Sequence, residues 1–162
     1  MEICLVRHAI AVERGTSGYQ DDRARPLTPD GRTRMKAAAR GLKQLFAPQL
    51  ILTSPVLRAK QTAEILEDVF RVPVIEVEAL GRGDHAETLK QLAGPDSART
   101  ALVGHEPWMS ELLSVMVAGD AGTMLSVFKK GAAALVTSDG TPEPGRCVLQ
   151  WLLQPAALRR LG

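Results

Sequence analysis

Aromatic residues are scarce, at 4% of the 162-residue chain. Unpaired bases bind on rows of aromatic side chains, so a single-stranded nucleic-acid platform is disfavoured. An excess of one charge is missing too. Twenty Lys and Arg face 18 Asp and Glu, a formal net charge of +2, too weak for a dedicated nucleic-acid binder. Cysteine occurs only as Cys4 and Cys147. Neither sits in a paired spacing, so two buried free thiols are expected rather than a disulfide framework. No apolar run approaches the roughly 18 residues that a spanning helix needs, and Met1-Glu2-Ile3-Cys4 lacks the basic and apolar segments of a secretory signal. The expectation is a cytoplasmic monomer with neither nucleic acid nor membrane as partner. The length fits one domain, 1–162.

What the chain does have is aliphatic bulk: 45% of it is hydrophobic, and apolar runs alternate with helical patterns. Ile3-Cys4-Leu5-Val6 reads as a buried strand. A long polar stretch from Ala9 to Leu27 follows, of the kind that is functional or mobile in compact domains. Thr28-Pro29 opens a helix as N-cap and first helical residue, with Met35, Ala38, Ala39, Leu42, Leu45 and Phe46 at helical spacing. Leu50-Ile51-Leu52 is the next strand. Ser54-Pro55 repeats the cap-and-proline opening for a second helix. Val72–Val77 reads as a strand, 84–93 as a short helix and Thr100–Gly104 as a strand. Pro107 opens a further helix. Ala132–Thr137 and Cys147–Leu153 are late strands expected at one edge of the sheet. The alternation predicts an α/β fold with a mainly parallel central sheet, whose continuous apolar strands are covered on both faces.

Chemistry concentrates where strands end. Of three histidines, His8 and His105 each directly follow an apolar strand, and ligands of open α/β sheets bind at the carboxyl ends of the strands. Arg7 precedes His8, and Arg58 lies in the first turn after Ser54-Pro55, beside a helix start with free N–H groups. Residues 7–40 carry eight bases and four acids, a local basic excess suited to an anion. Singly, each residue has an ordinary reading: a structural strand-end histidine, or an arginine in a surface ion pair. Together they suit a phosphoryl group. Arginine forks match phosphate oxygens, and a neutral imidazole can attack phosphorus and hold the group covalently. Arg7, Arg58 and a protonated His105 would surround it, with no metal required.

The ordered blocks resemble a known family. Leu5-Val6-Arg7-His8-Ala9 is similar to the Arg-His signature of the histidine phosphatase superfamily, which includes phosphoglycerate mutase. Arg25-Pro26-Leu27-Thr28-Pro29-Asp30-Gly31 resembles the Arg-Pro-Leu-Thr-x-x-Gly of its short bacterial branch, the SixA-type phosphohistidine phosphatases. Leu52–Ala63 (with Ser54-Pro55-Val56-Leu57-Arg58-Ala59), Val103-Gly104-His105-Glu106-Pro107 and Lys129-Lys130-Gly131 are similar to later blocks. The resemblance spans about residues 1–137. It implies a three-layer α/β/α sandwich of phosphoglycerate mutase type. It implies His8 as nucleophile, Arg7, Arg58 and His105 as phosphoryl ligands, and Arg25 closing over the phosphate from the long loop. An exposed loop arginine is the alternative for Arg25.

Mutase-like members carry a carboxylic acid after the third strand that protonates the leaving oxygen. Here that region, Val77–His85, lacks a clear match. Asp84, Glu78 and Glu106 are the candidates, each with an ordinary reading as surface carboxylate or helix cap. An alkoxide benefits strongly from protonation, whereas a phosphorylated imidazole nitrogen leaves more easily. The missing acid therefore leans toward P–N cleavage, with a phosphohistidine-bearing protein such as a phosphotransfer domain as partner and no cofactor. The alternatives are a phosphomonoesterase of small sugar or nucleotide phosphates, a non-catalytic phosphoryl-binding module, and a metal hydrolase, for which His8 and His105 are too few ligands.

Overall fold

Thr28 and Pro29 begin the first long helix as the sequence predicts. The Thr28 hydroxyl accepts from the Gly31 N–H, and the proline occupies the first turn. In the computed structural model, which describes residues 1–94 and 98–162, this is α1 (Pro29–Lys43). It follows β1 (Glu2–Arg7) and a short 3₁₀ turn at Asp22–Ala24. Next come β2 (Leu50–Thr53), α2 (Leu57–Phe70), β3 (Val74–Glu76), α3 (Glu78–Arg82), α4 (His85–Gln91), β4 (Arg99–Gly104), α5 (Trp108–Ala118), β5 (Ala133–Thr137), β6 (Val148–Leu153) and α6 (Pro155–Leu158).

The six strands form one sheet in the order β3-β2-β4-β1-β5-β6. β1 runs parallel to β4, with Leu5 opposite Leu102, and β2 runs parallel to both β4 and β3. β5 is antiparallel to β1 and to β6, so the late strands make the mixed edge that the sequence predicts. Alternate residues of each strand face opposite layers. Cys4, Val6, Ile51, Ala101 and Val103 pack against α1, α2 and α6. Ile3, Leu5, Leu52, Leu102 and Ala134 pack against α3, α4 and α5. Both faces are covered, which explains why the central strands read as continuous apolar runs. Both cysteines are buried and free.

Two local expectations need correction. Ser54-Pro55 does not cap α2; the helix starts at Leu57 with Val56 as its boundary residue, and the Ser54 hydroxyl accepts from the Val56 N–H at 3.3 Å. The strand read as Val72–Val77 forms only at Val74–Glu76. α3 and α6, at five and four residues, are too short to carry a helical period and leave no pattern to read. Part of the connection before β4, residues 95–97, lies outside the described residues. Among the described residues no helix is long and apolar enough to cross a membrane.

The 9–27 segment is tied down at its two ends. Ala11 bridges Leu27, the Thr28 N–H donates to the Ile10 carbonyl at 3.0 Å, and Gln61 of α2 accepts from the Leu27 N–H at 2.7 Å. These bonds deliver the 3₁₀ turn and Arg25 to the carboxyl end of the sheet. Gly31 permits it. A Cβ there would lie 2.1 Å from the Ile10 carbonyl oxygen.

Candidate active site

β1 and β4 are neighbours in register, with Arg7 opposite Gly104, so the residues that follow them emerge side by side. These are His8 and His105, both buried, at 5% and 8% exposure. β2 lies on the far side of β4, and its exit leads to Arg58 in the first turn of α2, 5% exposed. The structure brings all four sequence-predicted strand-end residues to one edge.

His8 is held by its own successor. Its Nδ1 lies 2.7 Å from the Ala9 carbonyl oxygen. A carbonyl only accepts, so the proton sits on Nδ1 and the lone pair on Nε2. Arg58 donates its Nε–H to that Nε2 at 3.1 Å. The chain just after His8 is anchored by Thr62, which accepts from the Ala9 N–H at 3.0 Å and donates to the Arg58 carbonyl at 2.7 Å. Burial lowers the His8 pKa to about 3. The Ala9 hydrogen bond opposes the shift, and the charges of Arg58, Arg7 and His105 add to it. The ring is therefore neutral at physiological pH.

His105 departs from expectation in charge. Burial pushes its pKa down, as does the Arg58 guanidinium, against a hydrogen bond to the Glu106 backbone and the field of Asp22. The protonated form expected from the sequence is disfavoured in the resting protein. Its buried Nε2 has no partner among the described residues, and neither does the buried Nε of Arg7. The other end of Arg7 is fixed, with Nη1 donating to the Phe128 carbonyl. Two buried nitrogens left unsatisfied at one sheet edge are costly unless something binds there, at about 1–3 kcal/mol each.

Arg25 is not an exposed loop arginine. It is 8% exposed and donates to the Val12 carbonyl. What joins it to the site is Asp22, which sequence reasoning counted only as a charge. The Asp22 carboxylate accepts from Arg25 at 2.8 Å, Arg14 at 2.9 Å and Arg58 at 3.2 Å. The Asp22 carbonyl also accepts from Arg58 Nη1 at 2.8 Å. Burial, the largest single influence, raises the Asp22 pKa, but the hydrogen bonds from Arg14 and Arg25 and the charges of Arg58 and Arg25 together outweigh it and hold the group at about 2. Its one sequence signal is an acid three residues before Arg25 in a basic stretch.

The three acid candidates separate. Asp84 caps α4, accepting from the Glu87 N–H at 3.0 Å. Glu78 is exposed at the start of α3. Glu106 is half-buried: one oxygen accepts from the Ser110 hydroxyl at 2.6 Å, the other has no partner, and its charge acts on Arg7. The third histidine, His85, is the first residue of α4 and faces Glu111 at 3.2 Å. Among the described residues no group of three or more His, Cys, Asp or Glu is placed to hold a metal ion.

The chain is 29% identical to the phosphohistidine phosphatase SixA of Escherichia coli over 98% of its own length and 97% of that protein. An uncharacterised protein of Picosynechococcus is 41% identical over 83% of this chain and 84% of its own. The solved structure of the protein histidine phosphatase SixA complexed with tungstate superposes with a TM-score of 0.80 at 26% identity, covering 98% of this chain and 99% of that one. The sequence profile of the histidine phosphatase superfamily (branch 1) matches residues 3–85, the stretch that carries β1, the 9–27 segment, α1 and the Arg58 turn, and the chain belongs to that superfamily.

Proposed function

We propose that this phosphatase removes the phosphoryl group from a phosphohistidine on another protein, using His8 as nucleophile and no metal. The observation that carries the reading is the Nδ1 contact to Ala9, which leaves the Nε2 lone pair of a neutral ring among Arg58, Arg7 and His105. Nε2 attacks phosphorus, the P–N bond to the substrate imidazole breaks, and that nitrogen takes a proton from solvent. Water then attacks the phosphorus on His8, releasing inorganic phosphate and the free ring. Arg7, Arg58 and Arg25 neutralise the equatorial oxygens during both in-line transfers. The orphaned Nε of Arg7 is a donor suited to those oxygens, and the orphaned Nε2 of His105 becomes one on protonation. His105 gains a proton more readily once a dianionic group lies beside it. The E. coli relative named as a phosphohistidine phosphatase supports the substrate, and so do the engagement of Asp84 as a helix cap and the exposure of Glu78.

One observation favours a second reading. Glu106 holds an unpartnered carboxylate oxygen near Arg7, and a carboxyl there could protonate an alkoxide leaving group, as hydrolysis of a small phosphomonoester requires. Two measurements decide. Wild type incubated with a phosphohistidine protein should form an acid-labile, alkali-stable phosphoenzyme that His8→Ala lacks. Turnover of that protein, in excess chelator, should exceed turnover of sugar and nucleotide phosphates. Full activity in His8→Ala would sink the nucleophile assignment; faster monoester turnover would favour the second reading.

A further inference from the structure

Beside the catalytic edge, on the α1 and α6 side, lies a cavity of about 450 Å³ that no step above uses. Arg7 and Ala9, the two chain neighbours of His8, belong to its lining. Its apolar lining includes Ile10, Met35 and Pro155. Besides Arg7, its cations are Arg34, Lys129, Lys130 and Arg159, and no carboxylate lines it. Arg34 is paired with Asp30 at 2.8 Å, while Lys129, Lys130 and Arg159 have no ion pair among the described residues. An apolar lining ringed by unpaired cations complements an acidic amphipathic segment: an apolar side chain to enter, carboxylates to meet the lysines.

The surface continues past the cavity. Just before Lys129, Leu125 is 94% and Val127 68% exposed. A lone exposed apolar residue is ordinary. Two within three positions, leading into two lysines, form a patch of the kind that marks a contact surface. This strap, Leu125–Lys130, is also anchored to the site. Phe128 accepts from Arg7, Gln154 donates to the Val127 carbonyl at 2.7 Å, and the Gly131 N–H lies 3.1 Å from the His8 carbonyl. A partner seated here is held at a fixed offset from the nucleophile.

We propose that this cavity and the Leu125–Lys130 strap dock an acidic, amphipathic segment of the phosphohistidine protein, next to its phosphorylated histidine. The proposal rests on the protein-substrate reading and names the feature by which the enzyme selects a protein: local acidity beside the histidine.

The test compares wild type with Lys130→Glu/Arg159→Glu and with Leu125→Ser/Val127→Ser, none of which touches the reacting atoms. The substrates are free phosphohistidine and a phosphotransfer domain phosphorylated on histidine. Charge reversal should raise KM for the domain by about tenfold, with kcat and the free phosphohistidine parameters within about twofold. The serine pair should move KM the same way by a smaller factor. A fluorescent Glu-rich peptide with a central leucine, titrated by anisotropy, needs no turnover and should lose about tenfold in affinity on charge reversal. Equal losses for free phosphohistidine would make the cavity a small-substrate subsite and overturn the docking role. An unchanged domain KM with unchanged peptide binding would overturn it as well. If wild type turns over neither substrate, the phosphohistidine reading fails, and the peptide titration alone decides the cavity.

Discussion

Arg58 places its Nε–H on the Nε2 of His8 at 3.1 Å, so the lone pair aimed at phosphorus is already occupied in the resting protein. An incoming phosphoryl oxygen must take over that donor before Nε2 can attack. The same guanidinium gives Nη1 to the Asp22 carbonyl and Nη2 to its carboxylate, so its plane is fixed on three sides. Lysine offers one mobile point charge in place of this fork. Arg58→Lys should therefore keep the fold and lose about 10²–10³ in kcat, the loss typical of removing one preorganised charge donor. Single-turnover labelling of His8 should slow by the same factor. A variant that labels at the wild-type rate would show that Arg58 is not needed at the transferred group.

The charge state of His8 can be read directly. Its pKa falls from 6.5 to about 3, chiefly through burial. Nitrogen NMR of the ring should show the neutral Nδ1–H form persisting to about pH 4, far below an ordinary histidine. The same shift has a stability consequence. Between about 6.5 and 3 the unfolded chain binds a proton that the native ring refuses, so native stability rises with pH through this window. His8 thus withdraws stability as pH falls from 6.5, and the whole of that loss is reached below 3. His8→Asn should flatten the stability curve between pH 6.5 and 4. An unchanged slope would mean that the ring titrates normally.

Asp22 is an anion seated on the arginines that a phosphoryl group would use. Its carboxylate touches Arg25 at 2.8 Å and Arg58 at 3.2 Å, and a pKa of about 2 keeps it charged across the working range. Two effects oppose one another on removing it: the arginines lose an anchor, and the substrate loses a competitor. The backbone carbonyl of Asp22 still holds Arg58, and Val12 still holds Arg25, so the competition should dominate binding. Asp22→Asn is expected to lower the inhibition constant of inorganic phosphate several-fold, and to lower kcat through the looser Arg58. Weaker phosphate inhibition in the variant would assign Asp22 to anchoring alone.

The sequence showed the sheet and the strand-end quartet because both rest on short-range signals. Apolar runs mark buried strands, and the residue after each run must leave the sheet at the edge where β1, β2 and β4 end. The family blocks suggested roles for Arg7, His8, Arg58 and His105, positions that topology had already converged, and brought in Arg25, which topology had not. What stayed hidden depends on three-dimensional neighbours. Asp22 was one acid in a polar stretch until the Ala11–Leu27 bridge and Gln61 brought the turn under Arg58. The charge of His105 follows from its burial beside Arg58, which no spacing encodes. The α2 boundary was misplaced because a Ser-Pro pair signals a helix start equally well when the serine merely folds its own turn.

Gly31 links fold to site through one close approach. A Cβ there would sit 2.1 Å from the Ile10 carbonyl oxygen and 3.0 Å from the Thr28 hydroxyl, and the first of these is backbone that no rotamer change can move. Gly31→Ala must therefore push α1 away from the start of the 9–27 segment, straining the Thr28 N–H bond to Ile10 and the Thr28 cap together. Overpacking of this kind costs about 1–3 kcal/mol, or about 2–12 °C in Tm for a domain of this size. Because the same segment carries Asp22 and Arg25, KM should rise along with the loss of stability. Gly140→Ala is the matched control, since a Cβ there meets nothing within 4 Å, and it should melt within about 1–2 °C of wild type. If Gly31→Ala melts with the control and keeps its KM, the contact between α1 and Ile10 is not what holds the arginine-bearing segment in place.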